Sequence, residues 1–428
     1  MLSKPNQDVP ALVQAVLAGL NFSSQNGTVL RTLANDTWTE AIKFCDSAGL
    51  TIPLYLQCGS YLPDQIRIGC EKKLRNNAER WNRLKNAYSE IAAAFERSRI
   101  EFAVLKGFTQ WPLFVQDPRH RTQYDIDLLL RPGDLVRAAA IAGNLGFEPA
   151  GHGKTQPVVD HFPTLVRKTG WVWRGDYFDP DIPFSLELHF RCWDRITEGF
   201  GPANLEAMFW ERLTDRHCEE LSFRTLRPAD SVLYASLHLL RHLLRGHLRP
   251  SHVYELAWFL DRSADNDEFW AQWDTMFSND LREYQAICFG LAHEWFSCAL
   301  HPVAEQARRA LPTAVDRWLL TYSRSPLAGL FKANKDELWL HWSLLKSPRQ
   351  RLVVLRRRLL PNQLPGPVSG IHLATDQLTW RQRAKGQWTY LRYVYRRARF
   401  HLASLVPTSI GAATWMRWSW RDRWANRP

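Results

Sequence analysis

The 428-residue chain contains no Cys-x-x-Cys pair, and its seven cysteines (Cys45, Cys58, Cys70, Cys192, Cys218, Cys288 and Cys298) are odd in number. This argues against a zinc site or a disulfide framework, and reduced thiols suit a cytoplasmic protein. No apolar run reaches the roughly 20 residues that a membrane span needs. Met1 to Pro10 lacks the apolar centre of a secretory signal. No internal repeat is present. Acidic residues are nearly missing from the end of the chain: residues 346–428 hold 17 lysines and arginines against only Asp376 and Asp422. The net charge of +12 therefore belongs to this tail, because the preceding residues carry 38 bases and 41 acids.

Tryptophan is plentiful, with 20 in all. It is costly to expose, so most of these rings are expected in cores or at interfaces. The balance of 45% hydrophobic and 23% charged residues is that of a soluble globular chain, long enough for two or three domains.

Residues 1–98 read as a helical region. Asp36 or Thr37 can cap a helix from Trp38 to Ala48. Trp81, Leu84, Ala87, Tyr88, Ile91, Ala94 and Phe95 lay an apolar stripe at helical spacing along Asp64 to Arg97. Residues 99–227 read as an α/β core. Ile100 to Leu105 is a short buried strand stopping at Lys106-Gly107, and a short helix over Phe108 to Val115 follows. Tyr124 to Leu130 is the next strand, after which Asp134 caps a helix from Leu135 to Leu145. His161 to Lys168, Phe184 to Phe190 and Leu221 to Leu226 complete the strands. Residues 228–345 form a helical domain, with helices over Pro228 to Arg245, His252 to Arg262 and Asn279 to Ala299. A looser, Pro-containing stretch from Pro361 to Pro367 separates the body from the basic tail, and residues 346–428 as a whole are basic and aromatic-rich. The expected fold is α+β: a small mixed sheet flanked by helices, with helical regions at both ends.

The sharpest motif is Asp125-Ile126-Asp127. Residues two apart on a strand project to one face, so both carboxylates point the same way. Their repulsion is relieved by a divalent cation, and hard oxygen ligands suit Mg²⁺. Arg119, His120 and Arg121 just before it can receive a polyphosphate. On a later strand Glu187 and His189 share a face, and Glu187 would complete the three-carboxylate arrangement that holds two metals roughly 4 Å apart in phosphoryl transfer. The competing description of Asp-x-Asp is the solvent face of an edge strand. Asp179 and Asp181 are rival third carboxylates, placed in a turn by Pro180 and Pro183.

Leu105-Lys106-Gly107, Arg121, Asp125-Ile126-Asp127, Leu145-Gly146-Phe147 and Glu187-Leu188-His189-Phe190 occur in an order that resembles the uncharacterised bacterial nucleotidyltransferase family of the DNA polymerase beta superfamily. The likeness runs from Trp38 to Arg262 and stops short of the tail. It implies that Asp125, Asp127 and Glu187 bind two Mg²⁺ ions, with Glu187 on the metal nearer the acceptor or acting partly as general base. It also implies that Lys106, Gly107 and Arg121 contact the triphosphate of ATP or another NTP. The wider superfamily has Gly-Ser at this glycine turn, where the present chain has Gly107-Phe108. His189 can orient Glu187, touch the substrate, or serve structure alone. His238 and His242 are spaced to share a helix face, but no HExxH pattern accompanies them.

The activity implied is Mg²⁺-dependent transfer of a nucleoside monophosphate from an NTP to a hydroxyl-bearing acceptor: a small molecule, a sugar, a protein or an RNA end. Polysaccharide or secondary-metabolite biosynthesis would suit it. The alternative is a catalytically degenerate nucleotidyltransferase fold that binds RNA or a membrane surface through residues 346–428. In that tail Arg356-Arg357-Arg358 and Arg396-Arg397 interleave with Tyr390, Tyr393, Tyr395, Trp415, Trp418 and Trp420. Such a segment can track a nucleic-acid backbone, lie on an anionic inner-membrane surface, or pack on the body as a solvated helix.

Overall fold

The computed structural model describes residues 9–24, 27–150, 160–171, 173–360 and 379–425. Its sheet has seven strands: β1 Phe102–Leu105, β2 Asp125–Leu130, β3 Phe147–Pro149, β4 Leu165–Arg167, β5 Ser185–His189, β6 Leu213–Cys218 and β7 Leu221–Leu226. Their order is β3-β4-β5-β2-β1-β7-β6. β2 is antiparallel to β1 and parallel to β5, while β7 joins β1 in parallel. The sheet is therefore mixed, with helices before and after it, and the α+β expectation holds.

The pleat divides the sheet into two faces. Ile126, Leu128, Leu130, Leu186 and Leu188 pack in one core with Trp81, Tyr88 and Phe95 of the long Asp64–Arg97 helix and with Ala138 and Ala142 of the Leu135–Asn144 helix. The apolar stripe read along Asp64 to Arg97 is the surface that enters this core. Ala103, Leu105 and Leu129 face the other way, into a larger core holding Val232, Leu233 and Leu237 of the Pro228–Arg245 helix. That core also contains Val13 and Trp38 from the first helices and Ile287 from the Asn279–Phe296 helix. Trp270, Trp273 and Trp318 are fully buried, as expected of so tryptophan-rich a chain.

Four local expectations differ from the structure. The helix expected from Trp38 starts at Thr37, and Asp36 before it makes no side-chain capping bond. Gly107–Gln110 forms only a 3₁₀ turn, and no helix continues toward Val115. Trp111 is extended (ψ 140°) because the residue before a proline, here Pro112, is disfavoured in the helical region. The strand expected from His161 is confined to Leu165–Arg167, with His161 making an isolated bridge to His189. Pro163 lacks the N–H that a continuous ladder requires. Asp134 ends a 3₁₀ turn and pairs with Arg137 at 3.0 Å; its side chain does not cap the helix that follows. The basic tail forms two helices, Pro348–Leu359 and Trp380–Ala425. The looser stretch Pro361 to Pro367 lies outside the described residues.

Candidate active site

The site grows from the face of the sheet turned toward the Pro228–Arg245 helix. Parallel pairing sets Asp127 beside Glu187 and Leu129 beside His189, while Asp125 stands opposite Ser185. Strand alternation puts Asp125, Asp127, Glu187 and His189 on this face because Ile126, Leu128, Leu186 and Leu188 fill the core behind it.

Asp127 is the hub, only 1% exposed. Its Oδ1 lies 2.7 Å from Lys106 Nζ and 2.8 Å from His189 Nε2. His189 Nε2 is also 3.4 Å from Glu187 Oε2. Donor atoms of Asp127, Glu187 and His189 all fall within 4.8 Å of one another. Asp125 lies one pleat earlier on the same face, outside that tightest group.

Burial works against charge at each of these groups. It pushes Asp125 up to about 6, and repulsion from Asp127 adds to the rise. At Asp127 the same burial is outweighed by Lys106 and by the His189 hydrogen bond, and the carboxyl is held well below its usual range. Glu187 is lowered because the bond to His189 overcomes its desolvation. Those contacts raise His189 in turn, against burial. Lys106 is likewise desolvated but raised by the neighbouring carboxylates, Asp127 foremost. The cluster is thus an acidic trio with one lysine and one histidine aimed into it.

The donor set suits a divalent cation. Asp127 Oδ2 is buried and accepts no hydrogen bond among the described residues, so it has a lone pair to give. Asp125, Asp127 and Glu187 would supply the hard oxygens, and His189 is better placed to orient Asp127 and Glu187 through its own contacts.

The turn after β1 explains the missing serine. Lys106 (φ 50°) and Gly107 (φ 60°) both occupy the left-handed region. A Cβ on Gly107 would overlap the amide of Gln123, which donates to the Asp125 carbonyl at 2.6 Å. This backbone turns Phe108 inward, where its ring packs against Phe223, Tyr88 and Trp81 with centroids 4.9, 5.0 and 5.8 Å away. Position 108 therefore faces core, and Lys106 is the side chain that reaches the carboxylates.

Arg121 does not touch the cluster. Its Nε pairs with Glu255 Oε1 at 3.0 Å, and both side chains are 12% exposed. The pair borders a cavity of about 410 Å³ lined also by Tyr124, Arg249, Tyr254 and Trp258. His120, Arg121, Thr122 and Tyr124, just before β2 begins, line this cavity, whereas Lys106, Asp125, Asp127, Glu187 and His189 do not. His238 and His242 do share a helix face, with Nε2 atoms 3.1 Å apart, and His252 stacks edge-on to His238 with centroids 4.9 Å apart. Burial, then nearby cations including Lys106, keeps all three neutral, His242 down to about 3.

Several flanking contacts are not legible in the sequence. Thr164 Oγ1 lies 3.5 Å from Glu187 Oε1. Asp160 pairs with Arg241, and Glu255 with Arg121. Each partner comes from a distant element and no local pattern marks it.

Comparison with known proteins agrees with this geometry. A family described as uncharacterised nucleotidyltransferase matches residues 34–297, and the chain belongs to that family. The match extends beyond the sheet through the Thr37–Ala48 helix and the Asn279–Phe296 helix. No curated protein and no solved structure matches it. The protein is accordingly an enzyme of the nucleotidyltransferase class.

Proposed function

We propose that the protein moves a nucleoside monophosphate from an NTP to a hydroxyl-bearing acceptor, with two Mg²⁺ ions held by Asp125, Asp127 and Glu187. The observation that carries this reading is the β2–β5 register, which sets Asp127 beside Glu187 with a free acceptor atom. When bound, the ions lower the pKa of the acceptor hydroxyl and neutralise the charge that leaves with pyrophosphate. His189 fixes the orientation of Asp127 and Glu187. Lys106, paired with Asp127, supplies a point charge for the triphosphate. Asp125, with its raised affinity for protons, is the carboxylate whose charge most needs a cation. The cavity beyond Arg121 receives the acceptor, since Tyr124, Tyr254 and Trp258 line it with rings and Gln57, Arg249 and Glu255 line it with polar groups. Polysaccharide building blocks are acceptors of that chemistry.

Residues on the Trp380–Ala425 helix favour a membrane surface for the tail. Trp388, Leu391, Tyr395, Leu402 and Val406 recur at three-, four- and seven-residue steps and are exposed. They stand among arginines on a helix too polar to span a bilayer. Flotation with anionic vesicles tests this assignment; a full-length Trp388→Ser/Leu391→Ser/Leu402→Ser variant that floats equally well overturns it.

The catalytic reading is tested by calorimetric titration of NTP with and without Mg²⁺. A Mg²⁺-dependent component of binding that disappears in Asp125→Ala/Asp127→Ala is the expected result. An equal Mg²⁺-dependent component in wild type and double variant, or none in either, sinks the reading. A screen of acceptor pools with labelled NTPs then identifies the acceptor.

A further inference from the structure

A second cavity, of about 830 Å³, lies between the end of the Pro228–Arg245 helix, residues 326–337, the Pro348–Leu359 helix and the Tyr393–His401 stretch of the last helix. Its wall is charged in one sense. Seven lysines and arginines line it, against one carboxylate, Glu337.

The existing partners leave most of that charge uncompensated. Arg358 engages Glu337 and donates to the Arg245 carbonyl at 2.8 Å. Arg245 pairs with Glu198 at 2.6 Å. Arg249, Arg357, Arg396 and Arg397 have no carboxylate partner among the described residues. Lys335 is the most telling. It is 2% exposed, and its ammonium donates to the Arg358 carbonyl at 2.8 Å and to His401 Nδ1 at 3.0 Å, with no ion pair to an acid among the described residues. Burying an ammonium without a counter-charge is unfavourable in general. Here desolvation and the neighbouring Arg358 and Arg397 push Lys335 down to about 8 and, with Lys335 itself, His401 to about 4.

A cavity serving only to join the tail to the body would be filled with apolar side chains or matched ion pairs. This one concentrates forked guanidinium donors from three elements around open space, the arrangement that grips phosphate oxygens in pairs. A single phosphate is too small and too weakly charged to satisfy it. We infer that the cavity is a binding site for a group of two or three linked phosphates, clamped between Lys335 of the body, Arg357 and Arg358 of the Pro348–Leu359 helix, and Arg396 and Arg397 of the last helix. Such a group comes from a soluble polyphosphate or from the pyrophosphate headgroup of a lipid. The inference goes beyond the nucleotidyl-transfer reading and does not depend on it. Ser47, Ala48 and Arg249 border this cavity, while Asp46, Gly49 and again Arg249 border the cavity at Arg121.

The test uses the full-length protein in EDTA, so that the carboxylate cluster holds no divalent cation. Calorimetric titration with inorganic tripolyphosphate is expected to show one site. It should weaken by on the order of tenfold or more in Arg357→Ala/Arg396→Ala/Arg397→Ala. Arg357 and Arg396 are exposed and Arg397 half-buried, so the fold should survive, as circular dichroism would verify. Tripolyphosphate should also raise the melting temperature of wild type and not of the triple variant. Asp125→Asn/Asp127→Asn should keep the site, which separates its fate from that of the catalytic reading. Vesicles carrying a lipid pyrophosphate distinguish the sources: capture of these vesicles without tripolyphosphate binding assigns the headgroup, and the converse assigns a soluble ligand. Binding of neither overturns the inference, as does equal binding by the triple variant. Tight binding of single-stranded RNA without either phosphate probe overturns it in favour of a nucleic-acid surface.

Discussion

Replacing Gly107 by alanine tests how the turn after β1 is held. Gly107 sits at φ 60°, and an added methyl would overlap the Gln123 side chain. Two costs follow. Left-handed backbone disfavours an L-residue by about 1 kcal/mol. Displacing Gln123 breaks its hydrogen bond to the Asp125 carbonyl, for about 1 kcal/mol more in a buried setting. The expected loss in urea unfolding is therefore about 2 kcal/mol, with residual overlap adding to it. Gln123→Ala alone should cost about 1 kcal/mol through the same hydrogen bond. The double variant should lose about 2 kcal/mol, less than the two single losses summed with the overlap, because removing Gln123 makes room for the methyl. Because Gln123 holds the first residue of β2, Gly107→Ala should also weaken Mg²⁺-dependent NTP binding. Strict additivity in the cycle, or a loss under 0.5 kcal/mol for Gly107→Ala, would refute the reasoning.

Other substitutions probe neighbouring features. Glu255→Ala should destabilise by about 3 kcal/mol, because it leaves Arg121 unpaired in a nearly closed setting, whereas Arg121→Met/Glu255→Met should recover much of that loss; chemical denaturation measures both. Phe108→Ser, which restores the serine of the wider superfamily, should cost about 3 kcal/mol or more by emptying the space among Phe223, Tyr88 and Trp81, with no gain in NTP affinity. A gain in affinity would show that position 108 reaches the phosphates. The neutral trio His238, His242 and His252 has folded pKa values below the unfolded value of about 6.5. Its contribution is complete above that pH and is lost as pH falls toward the folded values. Between pH 7.5 and 5.5 each histidine should cost about 1 kcal/mol, and His242→Gln should shallow the pH dependence of thermal melting; an unchanged slope contradicts the assignment.

The sequence announced β2 by Asp125-Ile126-Asp127 running into the apolar Leu128–Leu130 stretch, and β5 by Leu186 and Leu188 alternating with Ser185, Glu187 and His189; both are local properties. It announced the Asp64–Arg97 helix by its stripe for the same reason. Pairing is not local. That β2 and β5 run parallel, with Asp127 level with Glu187, depends on register across a separation that no spacing encodes. The partners Glu255 for Arg121 and Asp160 for Arg241 were hidden likewise, each being one ordinary charge on an element read for its apolar face. β3 and β6 escaped notice because Phe147–Pro149 is only three residues long and Leu213–Cys218 shows too little burial to alternate. The inward turn of Phe108 follows from the left-handed Lys106-Gly107 pair, and a non-glycine residue in that region is not foreseeable from sequence.

The strand order has a consequence for synthesis. β1 is completed on its outer side by β7, more than a hundred residues later, and on its inner side by β2, which waits for β5. A chain leaving the ribosome therefore presents Lys106, Asp125 and Asp127 long before Glu187 and His189 exist to join them. The sheet can close only after Leu226 has emerged. Assembly must await distant segments, so folding should be slow relative to that of a helical bundle of similar size. The half-built sheet, with an open edge on each side of β1 and β2, is the stage most exposed to wrong pairing.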